Sequence, residues 1–426
     1  MKRNLLLILC ICMGIHSYAQ LTLEECQQKA QANYPLSRQY QLIERSTSYT
    51  LANAAKGNLP QISLHGKVSY QSDATTLPFT LPNLDFQGMS KDQYQIMMEV
   101  SQNIWDGGQI HSQKAQVQAQ GEEAERQLDV NMYALRERIN QLFFGILLFN
   151  EQLDQNALLQ EELQRNLVNI KAYCTYGIAN EADVDAVRVE ILNTRQQRIQ
   201  IESNRNAYLR MLSLFMGEEV NTNTLLQKPD LPLSDTSLSI NRPELALYSA
   251  QEQTLHIKEQ SLKTGYMPRF SLFAQGAYGN PGLNMLKDSF EPYFIVGAKV
   301  SWRFGSLYTL KNDRKKLHTE RLQVQNNRDV FLLNTRIALT EQEQAIHSLR
   351  KQMEEDDEMI RLRINIRKAA EAKVANGTLT VTEMLRELTH ESLAKQNKAL
   401  HEIQLLMKLY QQKHLSLIHI SEPTRP

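Results

Sequence analysis

The chain has 426 residues, 47 basic and 47 acidic side chains and 42% hydrophobic residues, with a mean hydropathy of −0.44. A balanced charge offers no footprint for nucleic acid. After the N-terminus no stretch approaches the ~18 consecutive apolar residues of a spanning helix, which excludes a helical membrane bundle and leaves a soluble protein or membrane entry through alternating β-strands, whose signal per segment is weak.

Lys2 and Arg3 precede an apolar run from Leu5 to Ile15, with Ser17 and Ala19 at an A-x-A-like cleavage site before Gln20. This reads as a secretory signal peptide over residues 1–19, because the run is shorter than the about 20 residues that a membrane anchor requires. Cys10 and Cys12 leave with it. Cys26 and Cys174 remain and are expected to be free.

Prolines are absent from Asn83 to Lys228 and from Tyr293 to Glu422. Interior prolines cost a helix about 3 kcal/mol each, so these tracts can hold very long helices. Leu128, Met132, Leu135, Ile139, Leu142, Ile146, Phe149 and Leu153 alternate spacings of four and three, the seam of a coiled coil. Leu393, Leu400, Ile403, Met407 and Tyr410 continue this pattern later. Long helices are predicted over about 109–173 and 307–375, with return helices over about 181–215 and 381–415. Each pair is joined at a glycine turn, Tyr176-Gly177-Ile178 or Asn376-Gly377-Thr378.

Aligning Gly177 with Gly377 also aligns Asp183 with Glu383, while Asn33-Tyr34-Pro35 followed by Leu59-Pro60 matches Asn241-Arg242-Pro243 followed by Met267-Pro268. The chain is a tandem duplication with a period of about 200 residues. The first repeat covers 20–222 and the second 243–415, with a linker over 223–242. Residues 416–426 break the helical pattern and resemble translated cloning sequence, so they are set aside.

Strands are expected over about 60–71, 94–104, 268–278 and 293–304. Ile62, Leu64, Val68 and Tyr70 alternate with Ser63, His65, Lys67 and Ser69, giving one apolar and one polar face. Tyr94, Ile96, Met98, Val100 and Ile104 do the same, as do Phe270, Leu272, Ala274 and Tyr278, and Phe294, Val296, Ala298, Val300, Trp302 and Phe304. Tyr70, Tyr94, Tyr278 and Tyr293 gather at the loop ends, and Trp105, Trp302 and Phe304 at the helix ends, as interfacial girdles would. Four strands are fewer than the ~8 of the smallest closed barrel, and an open edge cannot sit in lipid. The subunit must oligomerise to close its sheet.

No catalytic constellation emerges, and the chain reads as a non-enzyme without cofactor or metal. His390-Glu391 and His401-Glu402 lack the second histidine of H-E-x-x-H and are expected at solvated helix positions; Gly276, Gly279 and Gly282 lack the spacing of a dinucleotide loop.

The duplicated order of helix, Leu-Pro strand, second strand, long helix, glycine turn and return helix resembles the TolC family of outer-membrane factors. The resemblance is carried by Leu21-Thr22-Leu23-Glu24-Glu25, the Asn-x-Pro before each first strand, Trp105-Asp106-Gly107-Gly108 and the two tips. It implies a mainly helical chain with transmembrane β-structure, assembled as a homotrimer with a 12-stranded barrel continuous with a periplasmic helical tunnel. Pro60 and Pro268 would mark strand entry. Gly177, Ile178, Ala179, Gly377, Thr378 and Leu379 would touch a periplasmic membrane fusion (adaptor) protein, itself coupled to an inner-membrane pump, and Asp183 and Glu383 would stand at the periplasmic aperture. Where the best-known member has a gating tyrosine and arginine, this chain has Val374 and Leu379. The implied role is the exit duct of a tripartite efflux or type I secretion system. A soluble periplasmic coiled-coil adaptor is the alternative, which explains secretion and heptads but not the paired alternating hairpins.

Overall fold

The computed structural model describes residues 20–73, 90–230, 240–285 and 287–416. The expected signal peptide, residues 417–426 of the tail and part of the expected linker lie outside them. In chain order the elements are α1 (Leu23–Asn33), α2 (Gln39–Ala55), β1 (Gln61–Tyr70), β2 (Asp92–Trp105), α3 (Gln109–Thr175), α4 (Glu181–Met216), α5 (Pro243–Ser261), β3 (Arg269–Asn280), β4 (Glu291–Ser301), α6 (Ser306–Ala375) and α7 (Val381–Ser416). The chain is mainly helical with one small antiparallel sheet. At about 1.5 Å per residue, the 67 residues of α3 and the 70 of α6 each extend roughly 100 Å.

Helix starts are specified locally. Thr22 Oγ1 accepts from Glu25 N at 3.2 Å while Glu25 Oε2 accepts from Thr22 N at 3.1 Å, a reciprocal cap that satisfies two otherwise orphaned donors. Asp106 turns β2 into α3: its carboxylate accepts from Gly108 N at 2.9 Å and Ile110 N at 2.6 Å. Gly107 and Gly108 take φ of 72° and 84° there, a region closed to most side chains.

The chain divides into two compact units that cut across the duplication. One comprises the residues up to Arg38, Leu128–Pro243 and those from Asp329 onward. Its main core gathers Leu23 and Cys26 of α1, Ile139, Phe143 and Ile146 of α3, Leu212 of α4, and Ile403 and Leu406 of α7. Most of the expected α3 seam is buried, from Leu128 to Ile146. In α7 the seam drifts: Leu393 is exposed and its neighbours Ser392 and Ala394 are buried, because a 3.6-residue turn does not hold a seven-residue spacing in register. Gly145 admits Tyr208, whose ring would lie 2.5 Å from a Cβ there. Cys26 and Cys174 are both free, and burial pushes the Cys26 thiol up to about 12.

The other unit comprises Gln39–Gln127 and Glu244–Arg328 and holds the sheet. The strand order is β1-β2-β3-β4, all antiparallel. Two helices close on α3 at small residues: Thr254 of α5 donates to Ala119 O at 3.4 Å, and a Cβ on Gly121 would stand 2.7 Å from Thr47 Oγ1 of α2.

Candidate functional site: an exposed apolar sheet face and two hairpin tips

The register lays most apolar positions of the four strands on one face, while Met97, Phe273, Ala277 and Ile295 fall on the other. Leu64 stands opposite Met98, Met98 opposite Gly276 and Gly276 opposite Phe294; on the adjacent rung Ile62, Val100, Ala274 and Val296 align. This face is bare. Ile62 is 70% exposed, Val68 77% and Phe294 78%, although burying such side chains is worth about 1.5–3 kcal/mol each. β1 and β4 each have a neighbour on one side only, so the sheet also presents two unpaired edges.

The opposite face is mainly polar. Glu99 accepts from Gln275 Nε2 at 2.8 Å, and Lys67, Gln95 and Glu291 share a rung through Gly279.

Pro60 and Pro268 immediately precede β1 and β3. At the loop ends Tyr70 is exposed on the apolar face, and Tyr94 and Tyr278 flank Phe290, with ring centroids at 6.2 and 5.7 Å. Phe290 joins this group from the loop after β3, and sequence patterning missed it because it lies outside the alternating run. Tyr293 departs from the expected girdle. It pairs with Ala277 on the polar face, where its hydroxyl accepts a hydrogen bond from Gln95. At the helix ends Trp105 meets Phe270 at 5.7 Å and Trp302 meets Phe304 at 4.8 Å. Trp105 reaches the apolar face through a register irregularity between Asn103 and Trp105, since an extra residue reverses which side chain points where.

The hairpin tips are built alike. Gly177 and Gly377 have φ of 71° and 66°. In each turn two backbone bonds tie the loop to the preceding helix: Gly177 N to Cys174 O at 3.1 Å and Ile178 N to Tyr173 O at 2.9 Å, then Gly377 N to Val374 O and Thr378 N to Lys373 O, both at 2.9 Å. This is the arrangement in which a left-handed glycine ends a helix. Gly177, Ile178, Gly377 and Thr378 are exposed. Ala179 and Leu379 instead turn inward and pack on the core of Leu163, Val187, Val374 and Leu388. Val374 is fully enclosed there.

Asp183 and Glu383 cap the return helices. Asn180 N donates to Asp183 Oδ2 at 3.0 Å and Asp183 N to Asn180 Oδ1 at 3.0 Å. Glu383 Oε2 accepts from Thr380 Oγ1 at 2.9 Å and Thr380 N at 3.2 Å. The hydroxyl bond, followed by the backbone bond, holds the Glu383 carboxyl below its ordinary range.

Behind the tips lies an ion cluster that sequence reading did not foresee. Arg367 of α6 reaches Glu391 of α7 at 2.6 Å, Glu162 of α3 at 2.8 Å and Glu371 at 2.5 Å, and Lys395 pairs with Glu391 at 2.5 Å. Glu391 is 2% exposed. Burial alone would raise its pKa, but hydrogen bonds from Lys395 and Arg367 outweigh that and lower it. His401 is likewise no solvated position: its Nδ1 lies 2.8 Å from the buried Asp356 carboxylate. Among the described residues no cluster of His, Cys, Asp and Glu could hold a metal, and no helix is long and apolar enough to cross a membrane.

No protein-family profile and no curated protein matches the sequence. Solved structures do match the fold. The outer membrane protein VceC from Vibrio cholerae superposes with a TM-score of 0.67 at 9% identity, covering 92% of this chain and 96% of that one. The Campylobacter jejuni CmeC outer membrane channel gives 0.66 at 12% identity over 93% and 86%. The open state of the Neisseria gonorrhoeae MtrE outer membrane channel gives 0.64 at 11% identity over 92% and 88%. With nearly the whole chain aligned in each case, the protein has the fold of the TolC-type outer-membrane channels.

Proposed function

We propose that the chain is one subunit of a homotrimeric channel in the outer membrane of a Gram-negative bacterium, serving as the passive exit duct of a tripartite efflux or type I secretion system. The observation that carries this reading is the sheet: four strands with one mainly apolar, exposed face and two open edges. Such a surface is stable only when lipid covers the face and neighbouring strands close the edges. Three copies would supply twelve strands, with the polar face lining a water-filled lumen. The solved channels of the same fold support this placement, and the exposed apolar face argues against a soluble periplasmic adaptor.

In this reading Gly177, Ile178, Gly377 and Thr378 present the surface that a membrane fusion protein grips, while Ala179 and Leu379 anchor the turns from inside. The inner-membrane pump is engaged only through that adaptor. Asp183 and Glu383 would contribute up to six carboxylates to the periplasmic aperture, besides capping their helices. The test is the mass of the mature chain extracted from outer membranes in mild detergent. A trimer that conducts as one pore is expected; a monodisperse monomer, or quantitative recovery without detergent, would refute the channel.

A further inference from the structure

The polar face of the sheet carries an uneven charge pattern that the channel reading leaves open. Arg269, the first residue of β3, pairs with Ser301, and Lys299 pairs with Ser271. The two cations are therefore diagonal neighbours on one face at its helix end, the spacing at which cross-strand side chains interact. Like charges at this diagonal spacing repel one another. Neither makes an ion pair among the described residues. The carboxylates on the same face lie farther along: Glu99 two rungs from Ser271 is hydrogen-bonded to Gln275 at 2.8 Å, and Glu291 at the loop end is paired with Lys287.

Arg269 also lines a recess of about 470 Å³ with Thr50, Asn53, Asn103, Asp106 and Gln109. Asp106 is the one carboxylate there, and both its oxygens already accept from backbone N–H groups at the start of α3. The remaining polar side chains of the recess are a guanidinium, amides and a hydroxyl, beside apolar Ala54 and Ile110. That is a donor set for an oxyanion.

We propose that Arg269 and Lys299 form an anion-selecting site at the foot of the sheet's polar face, engaging the carboxylate, phosphate or sulfonate groups of solutes that pass along it. This rests on the channel reading and deepens it. Three subunits would bring six cations to one level of the lumen, where rings of Arg and Lys favour anions. The site would make this level of the duct anion-attracting, opposite in sign to the carboxylates at the tips.

The experiment is single-channel recording of the reconstituted protein with citrate as a multivalent probe added from the loop side. Wild-type channels should be blocked by citrate, and Arg269→Gln with Lys299→Gln should weaken that block about tenfold and shift the reversal potential toward cations. The charge-conserving pair Arg269→Lys with Lys299→Arg should retain it. Should the double variant fail to insert, Lys299→Gln alone, at an exposed position, should still weaken the block. Undiminished block in either neutralised channel, or a wild type indifferent to citrate, overturns the anion site while leaving the duct intact. A wild type that forms no conducting trimer refutes the duct and this site with it.

Discussion

Ile178 of one hairpin tip lies against Gly377 of the other: its Cγ2 is 3.9 Å from the point a Cβ on Gly377 would occupy. The two repeats therefore present their turns side by side as one surface. Because both glycines sit at positive φ, replacing either by Val forces a β-branched side chain into a conformation that costs about 1–3 kcal/mol. Gly177→Val and Gly377→Val should abolish adaptor pull-down while leaving trimer yield in the outer membrane unchanged. Wild-type efflux by correctly inserted variants would place the adaptor contact elsewhere.

If Asp183 and Glu383 line the aperture as proposed, they have two separable duties. Asp183→Asn with Glu383→Gln keeps oxygens that can accept the capping bonds but removes the charge. Cation over anion selectivity should fall and block by periplasmic multivalent cations should weaken. Unchanged selectivity in an inserted trimer would leave capping as their whole role.

Arg367 and Glu391 are both largely enclosed. Removing Arg367 leaves the buried Glu391 carboxylate with Lys395 as its remaining cation, so Arg367→Met should destabilise the tip region by the loss of charge-assisted hydrogen bonds, about 1.5–3 kcal/mol. Pairing it with Glu391→Leu should restore much of that loss. Thermal midpoints of the four proteins in detergent measure the coupling. Since the Glu391 carboxyl is held below its ordinary value, its contribution is present above the unfolded carboxylate range near pH 4 and falls away as pH drops through the lower folded value.

His414 provides a second pH signature of opposite chemistry. Burial, and then the charges of Arg242 and Arg136, lower its pKa from 6.5 to about 4. The unfolded chain takes up a proton first, so stability is complete above about pH 6.5 and declines toward pH 4. His414→Gln should flatten stability between those limits. A profile unchanged by the substitution would show that another group governs it.

The strand edges make a covalent prediction. If β4 of one subunit pairs with β1 of the next, single cysteines at Ser63 on β1 and at 293, 295 or 297 on β4 should yield cross-linked dimers and trimers at one matching register. Cross-links at none of these positions would contradict barrel closure by these edges.

The sequence made the architecture legible where its signals were local and periodic. Proline-free tracts announced α3 and α6, glycines at the tips announced the turns, and period-two alternation announced most of the strand residues that share the bare face. Legibility failed where the determinant was nonlocal. Glu162 and Arg367 are some 200 residues apart, so nothing near either one signals a buried ion pair. Trp105 changed face through a single irregularity that alternation cannot reveal. Tyr293 was assigned by position at a strand end, although its parity beside Phe294 already placed it on the other face. The compact units were also invisible, because each draws on both copies of the duplication.

The bare sheet face and its open edges constrain how the protein is made. If the chain is the exported channel subunit proposed above, each new copy carries an apolar, edge-exposed sheet of four strands through an aqueous compartment, and such surfaces recruit one another into aggregates. The helical unit has its own enclosed core and can form first. On that reading, holding factors that shield the strands until the copies assemble would be as necessary as the chain's own residues, and their loss should appear as protease-sensitive, insoluble chains.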